Sequence, residues 1–462
     1  MRDPGGVLGE IVHAKKAEVA SRLGGVDLAD LRQRAAPTRR SLAAALARPG
    51  VRFIMEVKKG SPSGGAIRPH ADVAAQAAAY AGAASAVSVL TDARFFGGRL
   101  EDLRTVRGAF PGPVLAKDFI VDPRQVPEAR LHGADAVLVL LSVLDDGEAA
   151  AMMREARRLR MDALVEAHDE DEVRRAVALG ARLIGINNRD LRTLRVDLAT
   201  TERLSPLVPP DRLIISESGI GNRSDVERLA PHADALLVGT ALMRAERPAE
   251  AARALAFGPV KVCGITNARD LDRAAEAGAA WAGFVMVPDT PRAVTPARVE
   301  AILGRALSRP RTVGIFRNAD ARSVGAIARR IGLDAVQLHG QEDAGAVRSL
   351  VPPETEIWAA VQVGAGRLHP RAGADRLLFD SGPGGTGRTF DWSRVRGRRE
   401  LGAGLLAGGL RPENARAASR VGAWALDVGS GLEAAPGRKD ARKLDAFFEA
   451  LRVPARREAH SC

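Results

Sequence analysis

One pattern, repeated sixteen times, constrains this chain more than anything else in it. A short run of Val, Ile, Leu or Ala ends in a polar residue, and an Ala/Arg/Glu stretch with helical spacing follows. In the first half the runs are RFIMEVK (52–58), AVSVL (86–90), VLAKD (114–118), AVLVLL (136–141), DALVEA (162–167), LIGINN (183–188), LIISES (213–218) and ALLVG (235–239). In the second half they are VKVCG (260–264), WAGFVMV (281–287), TVGIF (312–316), AVQLHG (335–340), EIWAAV (356–361), RLLFD (376–380), GLLAGG (404–409) and WALDVGS (424–430). Short continuous apolar runs alternating with helices indicate parallel strands covered on both faces. Eight such units per half predict an α/β fold of two tandem, closed (β/α)8 TIM barrels rather than open sheets.

The 462 residues suffice for two or three independent cores. AERPAEAARALAFG (245–258) reads as the last helix of the first barrel, and Gly258-Pro259 opens the second with almost no linker. The expected division is therefore 1–257, 258–452 and a tail, 453–462, ending PARREAHSC and expected to be disordered. HAKKAEVASRL and LAAALARP, ahead of the first strand, form a helical extension that caps the mouth or the bottom of the barrel.

Composition excludes several classes of function. No apolar run approaches the roughly 18 residues of a membrane span, and MRDPGGVLGEIVHAKK has no signal-peptide core. The expected location is the cytoplasm, with no membrane partner. Two cysteines, Cys263 and Cys462, make neither a disulfide framework nor a metal cluster. No metal or organic cofactor is implied. The net charge of +12 suits either nucleic acid or small anions. Its arginines are scattered and aromatic residues are only 4%, too few for base stacking, so small anions are favoured and no nucleic-acid partner is expected. Only eight of the 68 basic residues are lysines, and Lys58, Lys117 and Lys261 all stand at apolar runs. The sequence is silent on oligomeric state and compatible with a monomer.

Active sites of such barrels lie at the C-terminal strand ends. In the first half those positions hold Glu56, Lys58, Lys117, Asp118, Glu166, Asn187, Asn188, Arg189, Glu217 and Ser218; in the second, Cys263, Gln337, His339, Asp380, Asp427 and Ser430. A scaffold alone has no reason to converge lysines and carboxylates on one mouth, since desolvating them adds no stability. Gly/Ser loops at EVKKGSPSGG (56–65), Ser218-Gly219 and Gly239-Thr240 can offer backbone N–H groups to an anion.

EVKKGSPS, LTDARFFGG (90–98), LAKDFIVDP (115–123), GADAVLVLLSVL (133–144), LVEAH (164–168), IGINNRDL (184–191), SESGI (216–220) and LLVGTALM (236–243) run through the first barrel in order. Together they resemble indole-3-glycerol phosphate synthase, whose reaction closes a pyrrole ring with loss of CO2 and water. The resemblance implies Lys117 as the acid that protonates the carbonyl and Glu166 as the acid/base of dehydration. Lys58 assists and Glu56 orients the lysines; the division of steps between Lys58 and Lys117 is left open. A neighbouring like charge and burial are expected to lower a lysine's pKa toward working pH. Arg189 and Asn187 suit a carboxylate and hydroxyls; Glu217 and Ser218 join the substrate site; Ser61, Gly219, Gly239 and Thr240 contact phosphate. Gly64 departs from the lysine of many relatives, so a phosphate contact there is absent or replaced.

KVCGIT (261–266), GFVMVPDTPRAVTP (283–296), VGIFRN (313–318), VQLHG (336–340), LLFDSGPGGTGRTFDW (377–392), LAGGLRPENA (406–415) and LDVGSGLE (426–433) resemble phosphoribosylanthranilate isomerase. That family performs an Amadori rearrangement, which needs an acid to open the sugar and a base to take a proton from its second carbon. The resemblance implies Asp380 as the acid, with its pKa raised by burial, and Cys263 as a thiolate base. Arg292 takes the anthranilate carboxylate, Asp427 the amine or hydroxyls, and Gly408, Gly409, Ser430 and Gly431 the phosphate. GGTG (384–387) is expected to be a mobile loop, His339 a positioning residue and Lys261 a support for its strand.

The two activities are consecutive steps of tryptophan biosynthesis, since the isomerase product is the synthase substrate. A nucleic-acid-binding barrel predicts clustered basic residues, which the chain lacks. A histidine-pathway isomerase predicts an aspartate at the end of the first strand, where this chain has Glu56-Val57-Lys58 and Cys263.

Overall fold

The computed structural model describes residues 5–62, 64–190, 193–364, 371–382 and 387–459. All sixteen apolar runs are strands. In the first barrel these are β1 (Arg52–Val57), β2 (Ala86–Leu90), β3 (Val114–Lys117), β4 (Ala136–Leu140), β5 (Asp162–Ala167), β6 (Leu183–Asn187), β7 (Leu213–Glu217) and β8 (Ala235–Val238). In the second they are β9 (Val260–Cys263), β10 (Trp281–Val285), β11 (Arg311–Phe316), β12 (Ala335–Leu338), β13 (Glu356–Gln362), β14 (Arg376–Asp380), β15 (Leu405–Leu406) and β16 (Ala425–Val428). Each set pairs in parallel and in chain order, and closes last on first. Arg52 lies opposite Ala235 where the first barrel closes, and Val260 opposite Leu426 where the second does.

The strands are short because each must end where its polar residue reaches the mouth. Connecting helices start at side-chain caps: Asp145 accepts from Glu148 N, Asn267 from Asp270 N and Asp320 from Ser323 N. In the second barrel the floor is a cluster of Trp281, Trp358 and Trp424, whose rings meet edge-on at 4.7 to 6.3 Å. Arg311 and Arg376 stack over Trp281 and Trp424 at 4.0 and 3.5 Å.

The helical extension covers both ends of the first barrel. α1 (Gly6–Leu23) buries Leu8, Ile11, Val12, Lys15, Val19 and Leu23, one helical stripe, and brings Leu8 and Ile11 to the mouth. Lys15 is fully buried on that stripe, 2.9 Å from each of Glu18, Asp92 and Asp118. The later helix α2 (Leu28–Arg34) precedes α3 (Leu42–Leu46), which sits at the other end. There Asp162, at the start of β5, accepts from Ser41 Oγ and Ala43 N at 2.9 and 3.0 Å.

The chain divides into two compact units. One comprises residues 1–256 together with the segment from Val453 onward; the other is Phe257–Arg452. The tail expectation is therefore corrected. Val453 O accepts from Val51 N at 2.8 Å, Arg457 meets the buried Asp234 at 3.1 Å, and Arg456 donates to Arg212 O at 2.9 Å. These arginines find carboxylate and carbonyl partners below β8, which a reading of local polarity cannot show.

Candidate active site

In the first barrel a cavity of about 440 Å³ opens at the strand C-termini. Every polar first-barrel residue singled out for the site lines it: Glu56, Lys58, Ser61, Lys117, Glu166, Asn187, Arg189, Glu217, Ser218, Gly219, Gly239 and Thr240. Lys117, the last residue of β3, stands between two carboxylates, 2.9 Å from Glu166 and 2.7 Å from Glu217. Lys58 pairs with Glu56 at 2.9 Å. Asn187 uses both ends of its amide: Nδ2 donates to Glu166 at 2.8 Å, and Oδ1 accepts from Arg189 N at 3.0 Å. Gly239 is required by packing, because a Cβ there would fall 2.4 Å from Glu56 Oε1.

The electrostatics correct one expectation. Burial does disfavour charge on Lys117, but Glu166, Glu217 and Glu56 outweigh it, and its pKa is pushed up, not down. Like charge from Lys58 does not prevail, because Lys58 is itself paired. Burial also acts against the Glu166 carboxylate, yet Lys117 and His168 overcome it and hold Glu166 well below the usual range. Glu217 is pushed up to about 7 by burial and by the negative charges of Glu166 and Glu56, despite Lys117. Its Oε1 is buried with no hydrogen-bond partner among the described residues.

His168 was not singled out from the sequence. It lies 3.3 Å from Glu166 and 3.1 Å from Glu172. Burial opposes its charge, but the two carboxylates raise its pKa to about 10, so it stands as an imidazolium behind Glu166. The signal was present in LVEAH, with a second glutamate four residues on at Glu172. Two strand-end residues have other duties. Asp118 is held by Lys15 and Thr91, and Asn188 ties Ser216 to Thr201.

The second barrel holds a cavity of about 360 Å³ lined by Cys263, Arg292, Asp380, Gly408, Gly409, Asp427 and Ser430 among others. Gly431 does not line it; a Cβ there would meet Leu410 O at 1.9 Å, so this glycine permits a close backbone approach instead. The left-handed Gly408 (φ 83°) leaves room for Asp380, whose Oδ1 would lie 2.9 Å from an added Cβ. Of the expected loop GGTG, residues 384–386 lie outside the described residues.

Lys261 is fully buried and donates to Asp427 Oδ2 at 2.8 Å, leaving Asp427 Oδ1 buried without a partner among the described residues. Burial pushes the Cys263 thiol above its ordinary value, with Asp427 adding to the rise and Lys261 and Lys439 opposing it. Cys263 therefore rests as a thiol rather than the expected thiolate: desolvation is the larger effect. Burial, then Asp427, raises Asp380, which accepts from Ser381 N at 2.6 Å. His339 is pushed down to about 3 by burial and by Lys261, Arg317 and Arg371, so it is neutral; it contacts Gln337.

Glu433 and Lys439, unremarked in the sequence, organise the edge of this site. Arg292 grips Glu433 through Nε at 2.9 Å and Nη2 at 2.7 Å, and Lys439 joins Glu433 to the Cys263 carbonyl at 2.9 and 2.6 Å. A short hairpin, Glu433–Ala435 with Arg438–Lys439, brings the pair together.

Two parallel-stranded barrels, each gathering acid/base side chains and glycine-rich loops at its own strand ends, define a tandem-barrel enzyme acting on phosphosugars. The models of two families match: indole-3-glycerol phosphate synthase over residues 8–255, and N-(5'-phosphoribosyl)anthranilate isomerase over residues 260–450. The tryptophan biosynthesis protein TrpCF of Salmonella typhi is 42% identical over 453 residues, covering 97% of this chain and 99% of its own. TrpCF of Vibrio parahaemolyticus is 43% identical over 96% and 94%, and that of Corynebacterium glutamicum 39% over 96% and 97%. The chain belongs to the TrpCF family of bifunctional tryptophan-biosynthesis enzymes, and carries both the isomerase and the synthase activity.

Proposed function

We propose that residues 1–257 perform the ring closure and residues 258–452 the preceding isomerisation, through the residues gathered at the two mouths. The single observation that carries this reading is the Lys117 ammonium held between Glu166 and Glu217 in the cavity at the barrel mouth. Two of its three N–H bonds are taken, and the third serves the ketone oxygen of 1-(2-carboxyphenylamino)-1-deoxyribulose 5-phosphate. As the aromatic ring carbon attacks the ketone carbon, a C–C bond forms and Lys117 protonates the departing carbonyl electrons. The ring carboxylate then leaves as CO2, its bonding pair restoring aromaticity. Glu166 takes the proton from the carbon beside nitrogen and delivers it to the hydroxyl, which leaves as water and completes the pyrrole. Arg189 faces the carboxylate, Lys58 and Glu56 assist and orient at the opposite wall, Asn187 holds Glu166, and Glu217 sets the charge of Lys117. Ser61, Ser218, Gly219, Gly239 and Thr240 receive the phosphate.

In the second barrel Asp380, whose pKa burial raises, gives its proton to the ribose ring oxygen of N-(5-phosphoribosyl)anthranilate as the C1–O bond breaks. The nitrogen lone pair makes the imine. Cys263 removes the C2 proton, and the resulting enol-amine takes a proton at C1 to give the aminoketose. Asp427 Oδ1, buried and unpaired, suits the anthranilate N–H or a sugar hydroxyl, and Arg292 the carboxylate. Gly408, Gly409 and Ser430 hold the phosphate, and Gly431 shapes their loop. A cytoplasmic enzyme free of cofactor, nucleic acid and membrane completes the proposal. The test supplies N-(5-phosphoribosyl)anthranilate to purified full-length protein and follows indole-3-glycerol phosphate. Its appearance with no second enzyme present supports the reading, and accumulation of the aminoketose alone overturns the first-barrel half.

A further inference from the structure

Four cations line the first cavity: Lys58, Lys117, Arg189 and Arg244. Lys58 pairs with Glu56, Lys117 with Glu166 and Glu217, and Arg189 donates to Leu194 O at 2.9 Å. Arg244 alone has neither hydrogen bond nor ion pair among the described residues, although it ends the short helix Thr240–Arg244 that leaves Gly239. Its guanidinium reaches across to the loop after β1. An added Cβ on Gly64 would lie 3.7 Å from Arg244 Nη2 and 3.0 Å from Ser61 Oγ. β7, β8 and β1 are neighbours in the barrel, so Gly219, Gly239, Thr240, Ser61 and Arg244 converge on one side of the mouth. The backbone there is braced: Arg68 donates to Ala245 O at 2.9 Å, tying the Gly64 loop to the residue after Arg244.

We infer that Arg244 is the side-chain cation of the synthase's phosphate subsite, filling the space that a residue-64 side chain would otherwise occupy. This rests on the ring-closure reading of the first barrel. Amides and hydroxyls alone leave a phosphate dianion without a counter-charge, whereas a guanidinium supplies charge and a planar pair of donors. Because Arg244 is exposed at the rim, water screens it, and its contribution is to capture rather than to the chemical step.

Arg244→Ala in the full-length chain should raise the synthase KM for the phosphorylated substrate about tenfold, as loss of one charge-assisted contact does. The change in kcat should be smaller, and the melting temperature should hold, since the side chain is exposed and makes no hydrogen bond or ion pair among the described residues. Arg244→Ala should also weaken competitive inhibition by inorganic phosphate, while leaving turnover of the dephosphorylated substrate as slow as before. Gly64→Lys in the Arg244→Ala background should restore both KM and phosphate inhibition. Gly64 is not left-handed, so the backbone accepts a side chain. An unchanged KM and phosphate inhibition constant in Arg244→Ala, or equal loss with phosphorylated and dephosphorylated substrates, overturns the inference. Should wild type make no indole-3-glycerol phosphate, the ring-closure reading fails by itself; phosphate binding by calorimetry to wild type and Arg244→Ala then still decides the role of Arg244.

Discussion

Lys117 Nζ and Glu166 Oε2 lie 2.9 Å apart, and that contact fixes the protonation of both: ammonium on one side, carboxylate on the other. The acid of ring closure is thus charged by its neighbours instead of being poised near neutrality by burial. Glu166→Gln should cut the synthase kcat by about 10²–10⁴-fold and release Lys117 toward a lower pKa, seen as a new alkaline limb in the kcat profile.

The pH dependence of stability in the first unit has a definite sign. Glu217 rises from an ordinary 4.5 to about 7, so the folded unit keeps a proton that the unfolded chain has lost. That contribution is full below 4.5 and is lost as pH rises to 7. His168, raised from 6.5 to about 10, contributes fully below 6.5 and loses its contribution as pH rises through 10. Glu166 acts oppositely, stabilising above 4.5 and failing in acid. Urea unfolding followed by circular dichroism should show Glu217→Gln abolishing the slope between pH 4.5 and 7, and His168→Gln the slope between 6.5 and 10. Slopes unchanged by these substitutions contradict the assignment.

In the isomerase, burial raises the pKa of both base and acid. Cys263 rests protonated and the active form is the minority carrying thiolate and protonated Asp380. Wild-type kcat/KM should therefore be level between the two pKa values. The residual rate of Asp380→Asn, lower by about 10²–10⁴-fold, should instead climb with pH beyond 9, the thiol's ordinary value.

Gly408→Ala places a methyl 2.9 Å from Asp380 Oδ1 on a backbone at φ 83°. Strain of roughly 1–2 kcal/mol and a displaced acid should cost most of the isomerase activity, with synthase turnover of its own substrate as the internal control.

Removing residues 453–462 strips Asp234 of Arg457 and Val51 of its carbonyl partner. A buried carboxylate left short of partners costs about 1–3 kcal/mol. Heat should therefore inactivate the synthase of the shortened chain several degrees earlier, and the isomerase much less.

The sixteen strands were legible because burial on both faces writes itself as continuous apolar runs, and the strand-end polar residues fell at the mouths as the barrel geometry requires. Even GLLAGG shrinks to the two-residue β15, since its glycines end the ladder and begin the loop. Partnerships across the fold were not legible. Lys15 looks like a solvent-facing helix lysine until Asp92 and Asp118 arrive from two loops. The direction of the Lys117 shift depends on carboxylates 49 and 100 residues away in the chain. Glu433 and Lys439 matter only because a hairpin folds them beneath Arg292 and Cys263.

The separateness of the two acid/base sites is decided by assaying Cys263→Ala and Lys117→Ala each on both isolated substrates. Cys263→Ala should lose isomerisation and keep ring closure, and Lys117→Ala should do the reverse. Loss of both reactions in either variant, with the protein still folded, contradicts it.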